Sequence, residues 1–237
     1  MSASERRAAP RTAVVWDVLD PILAPRGDGP LDVVDIGGGT GGSAVRIAGL
    51  GHRVTVVDPS PDALAALDRR ARERGVEVLG RQGDLSDLPS LVGADGADVV
   101  LCHGVLEVVD DPAAALASIR EVLRPGGFLS LLVAQRHAAV VARAMAGHFA
   151  QAAALLDSTE PHGRTRRYTA REAADLLEAA DFTVVSTHGV RVFADLVPGS
   201  LLDLEPGAAA GLVDLERAVA GRPEYLSLAT QVHLLAT

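Results

Sequence analysis

Apolar and polar positions along this chain keep two rhythms. Short runs rich in Val, Ile and Leu recur at LDVVDI (31–36), RVTVVD (53–58), VEVLGRQ (76–82), ADVVLCH (97–103) and GFLSLLVAQ (127–135). Between them lie GSAVRIAGLG, SPDALAALDRRARERG and DPAAALASIREVLRPGG, where apolar residues return every three or four positions. Runs of β-branched residues bounded by turn residues predict strands, and the wider spacing predicts amphipathic helices. Their alternation predicts right-handed βαβ units and a parallel sheet covered on both faces.

Beyond residue 135 the rhythm changes. HAAVVARAMAGHFAQAAALLD (137–157) predicts a helical insertion, followed by the basic polar stretch HGRTRRYT (162–169). REAADLLEAAD predicts a helix opened by Thr169 as its N-cap. Two more strands are expected in FTVVSTHGVRVF (182–193) and YLSLATQVHLLA (225–236), with a loop and helix between them. No repeat, linker or low-complexity segment divides the sequence. The expectation is one domain over residues 1–237, with an N-terminal helical lid in 1–30 and a helical and loop insertion in 136–170.

Composition narrows the class. The 237 residues suffice for one α/β domain with a substantial core. Hydrophobic residues make up 48 % and aromatics only 3 %, so that core is aliphatic. No apolar run is long enough for a membrane helix. MSASERRAAPRTAVVW lacks a continuous apolar segment, so no signal peptide is expected. These features predict a soluble, cytoplasmic protein with no membrane partner. The single cysteine, Cys102, excludes an internal disulfide and a cysteine zinc site. The seven histidines show no ligand spacing, so no metal is expected. Net charge is −9, which argues against a broad basic face for nucleic acid. There is no lysine, so every fixed positive side chain is arginine.

VVDIGGGTGG (33–42) bares the backbone between the first strand and the first helix. Two patterns overlap there. Gly37, Gly39 and Gly42 satisfy GxGxxG, the dinucleotide fingerprint. Gly37, Gly39 and Gly41 satisfy GxGxG, the cofactor loop of class I S-adenosylmethionine methyltransferases. Both need glycine for close backbone approach and for positive φ. The neighbours favour the second pattern. Asp35 stands two positions before the loop, where a dinucleotide fold usually has an apolar residue and an acid suits a cationic amino acid end. Asp58, followed by Pro59, ends the second strand and suits ribose hydroxyls in either cofactor. Gly83 and Asp84 follow the third strand, where an acid suits an adenine amino group. A lone Asp at a strand end is as readily a turn or cap residue. Three at successive strand ends point to a nucleoside.

DVVLCHGVLEVVDDP followed by IREVLRPGGFLSLL strongly resembles class I methyltransferases. Pro125-Gly126-Gly127 reads as a turn that stops a helix before a central strand. The resemblance implies an α/β, Rossmann-like fold. Its sheet is seven-stranded and mostly parallel, with helices on both faces and an antiparallel last strand. It implies S-adenosyl-L-methionine as cofactor and S-adenosyl-L-homocysteine as product. More closely, the sequence resembles the bacterial tRNA 5-carboxymethoxyuridine methyltransferase family, which esterifies a modified wobble uridine. RTAVVWDVLD (11–20), DIGGGTGG, GHRVTVVD, HGVLEVVDDP, LRPGGFLSLL, MAGHF (145–149) and THGVRVFADL (187–196) carry that resemblance over almost the whole chain. GVRVF lies outside the common cofactor-binding half and is the most telling piece.

That resemblance implies that Arg11 contacts cofactor or acceptor, that Gly37, Gly38, Asp58, Gly83, Asp84 and His103 line the cofactor, and that Arg191 faces the acceptor. With the residues read directly, the cofactor set is Arg11, Asp35, Gly37, Gly38, Gly39, Gly41, Asp58, Pro59, Gly83, Asp84 and His103. The acceptor set is Arg164, Arg166, Arg167, Tyr168 and Arg191, with the 136–170 insertion over the acceptor site. The reaction itself is assigned to Arg191, Arg11 and His103. The sequence departs from the family in one place: EPHGRTRRYT, with three arginines, stands where the family carries a lysine run.

A sulfonium methyl is already activated, so alignment and exclusion of water are the main tasks. A carboxylate acceptor is ionised at neutral pH and needs an arginine anchor rather than a base. A phenol or alcohol would need one, with His103, His137 and His188 as candidates. The acceptor is expected to be the carboxylate of a modified tRNA wobble uridine or a small molecule, an acidic metabolite or secondary-metabolite intermediate methylated on an oxygen or a carboxyl group. A nicotinamide-dependent oxidoreductase and a non-catalytic cofactor-binding module are the competing classes. Without lysine, a Tyr-xxx-Lys oxidoreductase set is impossible.

Overall fold

A computed structural model of the chain describes residues 3–24, 29–156 and 165–237. Its strands are β1 (Asp32–Ile36), β2 (Arg53–Asp58), β3 (Leu79–Gln82), β4 (Ala97–His103), β5 (Leu123–Ala134), β6 (Val184–Val190) and β7 (Gln231–Ala236). They form a seven-stranded sheet in the order β3-β2-β1-β4-β5-β7-β6. The helices are α1 (Ala3–Leu19), α2 (Gly42–Ala48), α3 (Pro61–Arg74), α4 (Leu88–Val92), α5 (Pro112–Val122), α6 (Arg136–Met145), α7 (Phe149–Leu155), α8 (Ala170–Ala179), α9 (Gly199–Leu204), α10 (Ala208–Ala220) and α11 (Pro223–Leu226). β1 pairs in parallel with β2 and β4, placing Val34 beside Thr55 and Val100, and β2 pairs in parallel with β3. Beside β6 and β7, Thr183 and Thr237 exchange both backbone hydrogen bonds, at 2.8 and 3.0 Å. Such a reciprocal pair marks antiparallel strands.

The chain packs as two compact units. One comprises Pro21–Leu131, Asp175–Val185 and Leu235–Thr237; the other comprises Met1–Asp20, Leu132–Ala174 and Ser186–Leu234. In the first, the β-branched runs supply the core: Val33, Val34, Ile36, Val56, Val57, Val99 and Val100 are buried. Leu116 and Ile119 of α5 are fully buried as well. In the second, α1 packs on α10, and Arg217 grips Asp17 with two bonds of 2.7 and 2.9 Å. Among the described residues no helix is long and apolar enough to cross a membrane.

Where the elements differ from the expected ones, local chemistry explains it. β5 starts at Leu123, so LRPGG lies inside the strand, and the expected turn survives there as a bend at Gly126, whose φ is 78°. A Cβ on Gly127 would lie 2.9 Å from the Asp98 carbonyl oxygen, a close approach only glycine tolerates. The expected helix over 137–157 is two helices, broken at Gly147, whose φ is 78°. The last strand begins at Gln231 rather than Tyr225, because Pro223 opens the short helix α11. α4 was not expected. Thr169 does cap α8. Its Oγ1 accepts from Glu172 N at 3.1 Å, and the Glu172 carboxylate accepts from Thr169 N at 2.7 Å, a capping box.

Arg124 anchors the start of β5. It donates to Asp98 at 2.7 Å and Asp32 at 2.9 Å, and Arg53 grips Asp32 from the other side at 2.6 and 2.9 Å. The network ties together the starts of β1, β2, β4 and β5. The Arg53 bond, ahead of that from Arg124, holds the Asp32 carboxyl below the usual range despite its partial burial. A depressed carboxylate stabilises the fold above its unfolded pKa, and the contribution disappears as pH falls through the folded one. Arg124→Ala is therefore expected to lose about 1 kcal/mol at pH 7, a value kept small by solvent screening. Urea unfolding of wild type and variant should converge in strong acid.

Candidate functional site

The first unit places its candidate site at the carboxyl ends of β1 to β4. Chain order runs outward from β1 to β2 and β3, then returns to β4 on the other side of β1. Open α/β sheets bind ligands at such a reversal. Beyond Ile36, Gly37, Gly39 and Gly41 take φ of 64°, 54° and 76°, a region that favours glycine. Gly37 donates to the Val57 carbonyl at 2.8 Å, which pins the loop to the end of β2. Two faces of the loop are packed solid. A Cβ on Gly37 would lie 2.5 Å from Val105 Cγ2, and one on Gly38 would lie 2.6 Å from Asp35 Oδ2. A Cβ on Gly39 would meet nothing closer than 3.8 Å, with Asp58 Oδ2 at 3.9 Å, so the bare position leaves room beside that carboxylate.

Asp58 is buried, and each of its oxygens takes one backbone N–H at 2.9 Å, Oδ2 from Gly39 and Oδ1 from Ser60. Each oxygen keeps a second lone pair. Asp84, beyond β3, is exposed, and its Oδ1 takes the N–H and O–H of Ser86 at 2.8 and 2.6 Å. The Ser86 hydroxyl, more than its amide, holds the Asp84 carboxyl below the ordinary range. Gly37, Pro59, Gly83 and Asp84 line one cavity of about 510 Å³. Leu85, Val105, Val108 and Ser118 line it as well, and sequence reasoning did not single them out. For Val105 and Val108 the signal lay in the quoted HGVLEVVDDP block: Val108 is a large apolar side chain that stays 58 % exposed.

Asp35 has another environment. It is 4 % exposed, and burial, followed by the Asp58 charge, pushes its carboxyl up to about 7. His103, at the end of β4, has Nε2 2.8 Å from Ser130 Oγ. Desolvation pushes its imidazolium down to about 4, so the ring is neutral at pH 7. Cys102 is fully buried, and burial pushes its thiol up to about 12, which makes it a packing residue.

The second unit brings Arg11 and Arg191 onto one carboxylate. Asp195 lies 2.6 Å from Arg191 Nη2 through Oδ2 and 3.3 Å from Arg11 Nη2 through Oδ1. Arg191 also donates to Gln231 Oε1 at 3.4 Å. Its φ is 62°, a left-handed backbone rare outside glycine and found disproportionately at functional sites. Tyr168 is buried, and its backbone pairs with Ala134 and Arg136. Arg166 and Arg167 are half-buried just before it, and Arg164 lies outside the described residues. His137 is exposed, whereas His188 stacks on His233 with ring centroids 5.9 Å apart. Burial holds the His188 imidazolium below its ordinary range. No group of three His, Cys, Asp or Glu among the described residues could hold a metal ion.

The family model described as a methyltransferase domain matches residues 34–131. The tRNA 5-carboxymethoxyuridine methyltransferase of Escherichia coli (strain K12) is 31 % identical over 235 residues, covering 95 % of this chain and 87 % of the relative. The chain belongs to this family of class I methyltransferases. A ubiquinone biosynthesis O-methyltransferase of Xanthomonas axonopodis pv. citri is 35 % identical over 115 residues, 48 % of each chain. Among solved structures, geranyl diphosphate C-methyltransferase from Streptomyces coelicolor A3(2) aligns with a TM-score of 0.62 at 18 % identity, over 94 % of this chain and 78 % of that one. The 1,6-didemethyltoxoflavin-N1-methyltransferase of Burkholderia thailandensis gives 0.55 at 23 % identity, over 99 % and 85 %. These two establish the fold. The chain is thus an S-adenosylmethionine-dependent methyltransferase. The GxGxG reading of the loop holds, and the dinucleotide reading falls. The first unit's residues fit this cofactor: bare backbone at Gly39 beside Asp58, and a second acid at Asp84 in a largely apolar-lined cavity.

The Asp35 shift makes a separate prediction. Between about pH 4 and pH 7 the folded protein keeps a proton that the unfolded chain has released, so stability falls as pH rises through this window. Asp35→Asn removes that loss. Urea unfolding should show the variant gaining on wild type from pH 4.5 to pH 7.5, by at most about 4 kcal/mol. A constant difference across this range would contradict the raised carboxyl.

Proposed function

We propose that this methyltransferase esterifies the carboxylate of a modified tRNA wobble uridine. The observation that carries this reading is the 31 % identity to the tRNA enzyme over 95 % of the chain, which reaches far beyond the matched methyltransferase domain. Asp58 accepts the ribose hydroxyls, Asp84 the adenine amino group, and Asp35 the cationic amino acid end. Gly39 leaves room for the ligand beside Asp58, while Gly37, Gly38 and Gly83 let the loops around it pack tightly on Val105, Asp35 and Leu91. When bound, S-adenosylmethionine supplies a methyl group on a sulfonium, already activated for transfer. Arg191, with Arg11, anchors the acceptor carboxylate. Two guanidiniums share one carboxylate in Asp195, so the cluster keeps one positive charge for an incoming anion. No base is required, because a carboxylate is ionised at pH 7. The neutral His103 ring is a wall of the cofactor site.

A second reading, a small acidic metabolite as acceptor, is favoured by the net charge of −9 and by three arginines in the 160–169 stretch. Few phosphates can be gripped by so small a basic set. Purified protein and S-adenosylmethionine are incubated with tRNA bearing unmethylated 5-carboxymethoxyuridine, and separately with small carboxylic acids. Ester formed only on the tRNA supports the first reading, and ester only on the acids supports the second. Arg191→Ala is expected to lower kcat/KM about 10- to 100-fold, the loss of one charged hydrogen-bonding partner. Asp58→Ala should weaken S-adenosylhomocysteine binding by about 10²-fold in calorimetry. Unchanged affinity there would remove Asp58 from the site.

A further inference from the structure

We propose that Glu216 is a positioning residue for the acceptor arginines, an inference that rests on Arg191 as the acceptor anchor. On α10, Ala209, Leu212, Val219 and Ala220 are buried, and Glu216 lies on the same stripe with 0 % exposure. The spacing asks for an apolar residue there. A carboxylate persists out of water only when it is fully hydrogen-bonded. Glu216 takes three consecutive backbone N–H groups: Oε2 from Val192 at 2.9 Å, and Oε1 from Phe193 at 2.8 Å and Ala194 at 2.7 Å.

Those three residues are the whole interval between Arg191 and Asp195. On the other side, the Arg191 carbonyl accepts from Thr230 N at 3.3 Å and Thr230 Oγ1 at 3.1 Å. The peptide that follows Arg191 is therefore held at both its groups, the carbonyl by Thr230 and the N–H by Glu216. The turn that Glu216 closes sets the spacing of the Arg191–Asp195 pair, and Asp195 in turn meets Arg11. The next residue, Arg217, binds Asp17 on α1, the helix that carries Arg11. Adjacent residues of α10 thus hold the backbone of one arginine and the helix of the other. A methionine could fill the volume of Glu216 but accepts none of the three N–H groups.

The test compares Glu216→Gln and Glu216→Met with Arg191→Ala and with Arg124→Ala, which destabilises the first unit away from any binding residue. The readouts are acceptor KM and kcat with tRNA bearing unmethylated 5-carboxymethoxyuridine, S-adenosylhomocysteine affinity, Tm, and the Arg191 Nε–Hε cross-peak in nitrogen-15 NMR. Both Glu216 variants are expected to raise acceptor KM, by about 10²-fold for Met and less for Gln, which keeps one acceptor oxygen. They should move the Arg191 cross-peak and leave S-adenosylhomocysteine affinity unchanged. Arg124→Ala should lower Tm and move neither KM nor the cross-peak. A stationary cross-peak in both Glu216 variants overturns the proposal, whether or not the tRNA turns over. So does a KM rise shared by Arg124→Ala, which would be general loss of stability. Wild-type kinetics in Arg191→Ala would mean that the anchor reading has failed, and the positioning role with it.

Discussion

Asp58 holds three separate segments of the first unit at once, and the arrangement of the glycine loop and the strand ends depends on that. Oδ2 fixes Gly39 in the glycine loop, and Oδ1 fixes Ser60, whose own hydroxyl caps α3 by accepting from Ala63 N at 3.2 Å. The Asp58 carbonyl accepts from Gly83 at 3.3 Å, where β3 gives way to Asp84. A loop of left-handed glycines cannot hold its shape by side-chain packing. An ionised acceptor supplies bonds roughly twice as strong as neutral ones. The same charge reaches Asp35 and helps to keep that buried carboxyl protonated in the free protein.

This arrangement was legible in the sequence because its parts are local. A β-branched run, an acid at its end and glycines at fixed spacing each announce themselves within ten residues, and the strands they terminate formed close to where the pattern put them. LRPGG reads as a turn and keeps a bend, with Gly126 at φ 78°, but it lies inside β5, where Arg124 reaches two distant carboxylates, at positions 32 and 98. Tyr225 was read into a strand because its apolar neighbours alternate, whereas Pro223 two residues earlier starts a helical turn. Both differences come from contacts or caps that periodicity does not register.

The second unit was less legible for a related reason. Arg11 and Arg191 were singled out one at a time through a resemblance, and nothing in their spacing predicts that they share Asp195. Glu216 escaped notice although it breaks the apolar stripe of α10. A charge in such a stripe usually reads as a misjudged face, and its three backbone partners lie 22 to 24 residues away. Asp35 and Glu216 are both acids cut off from water, with different surroundings. For Asp35, burial and a neighbouring charge push in the same direction, towards protonation. Glu216 is met by three donors.

Net charge and local charge separate in the same way. The chain carries −9 overall, which reads as a poor match for an anionic acceptor. At physiological salt, however, exposed charges are screened beyond about 8 Å, so the total says little about any one cluster. At the acceptor site proposed above, an incoming carboxylate would meet its immediate shell. Arg11, Arg191 and Asp195 sum to one positive charge, set on a backbone that α10 and Thr230 hold in place. Arginine suits this task, since its planar fork can bind two carboxylates at once, one internal and one from an acceptor. Recognition built in the proposed way would need a held turn more than a basic surface, and the buried Glu216 bonds three successive N–H groups of that turn.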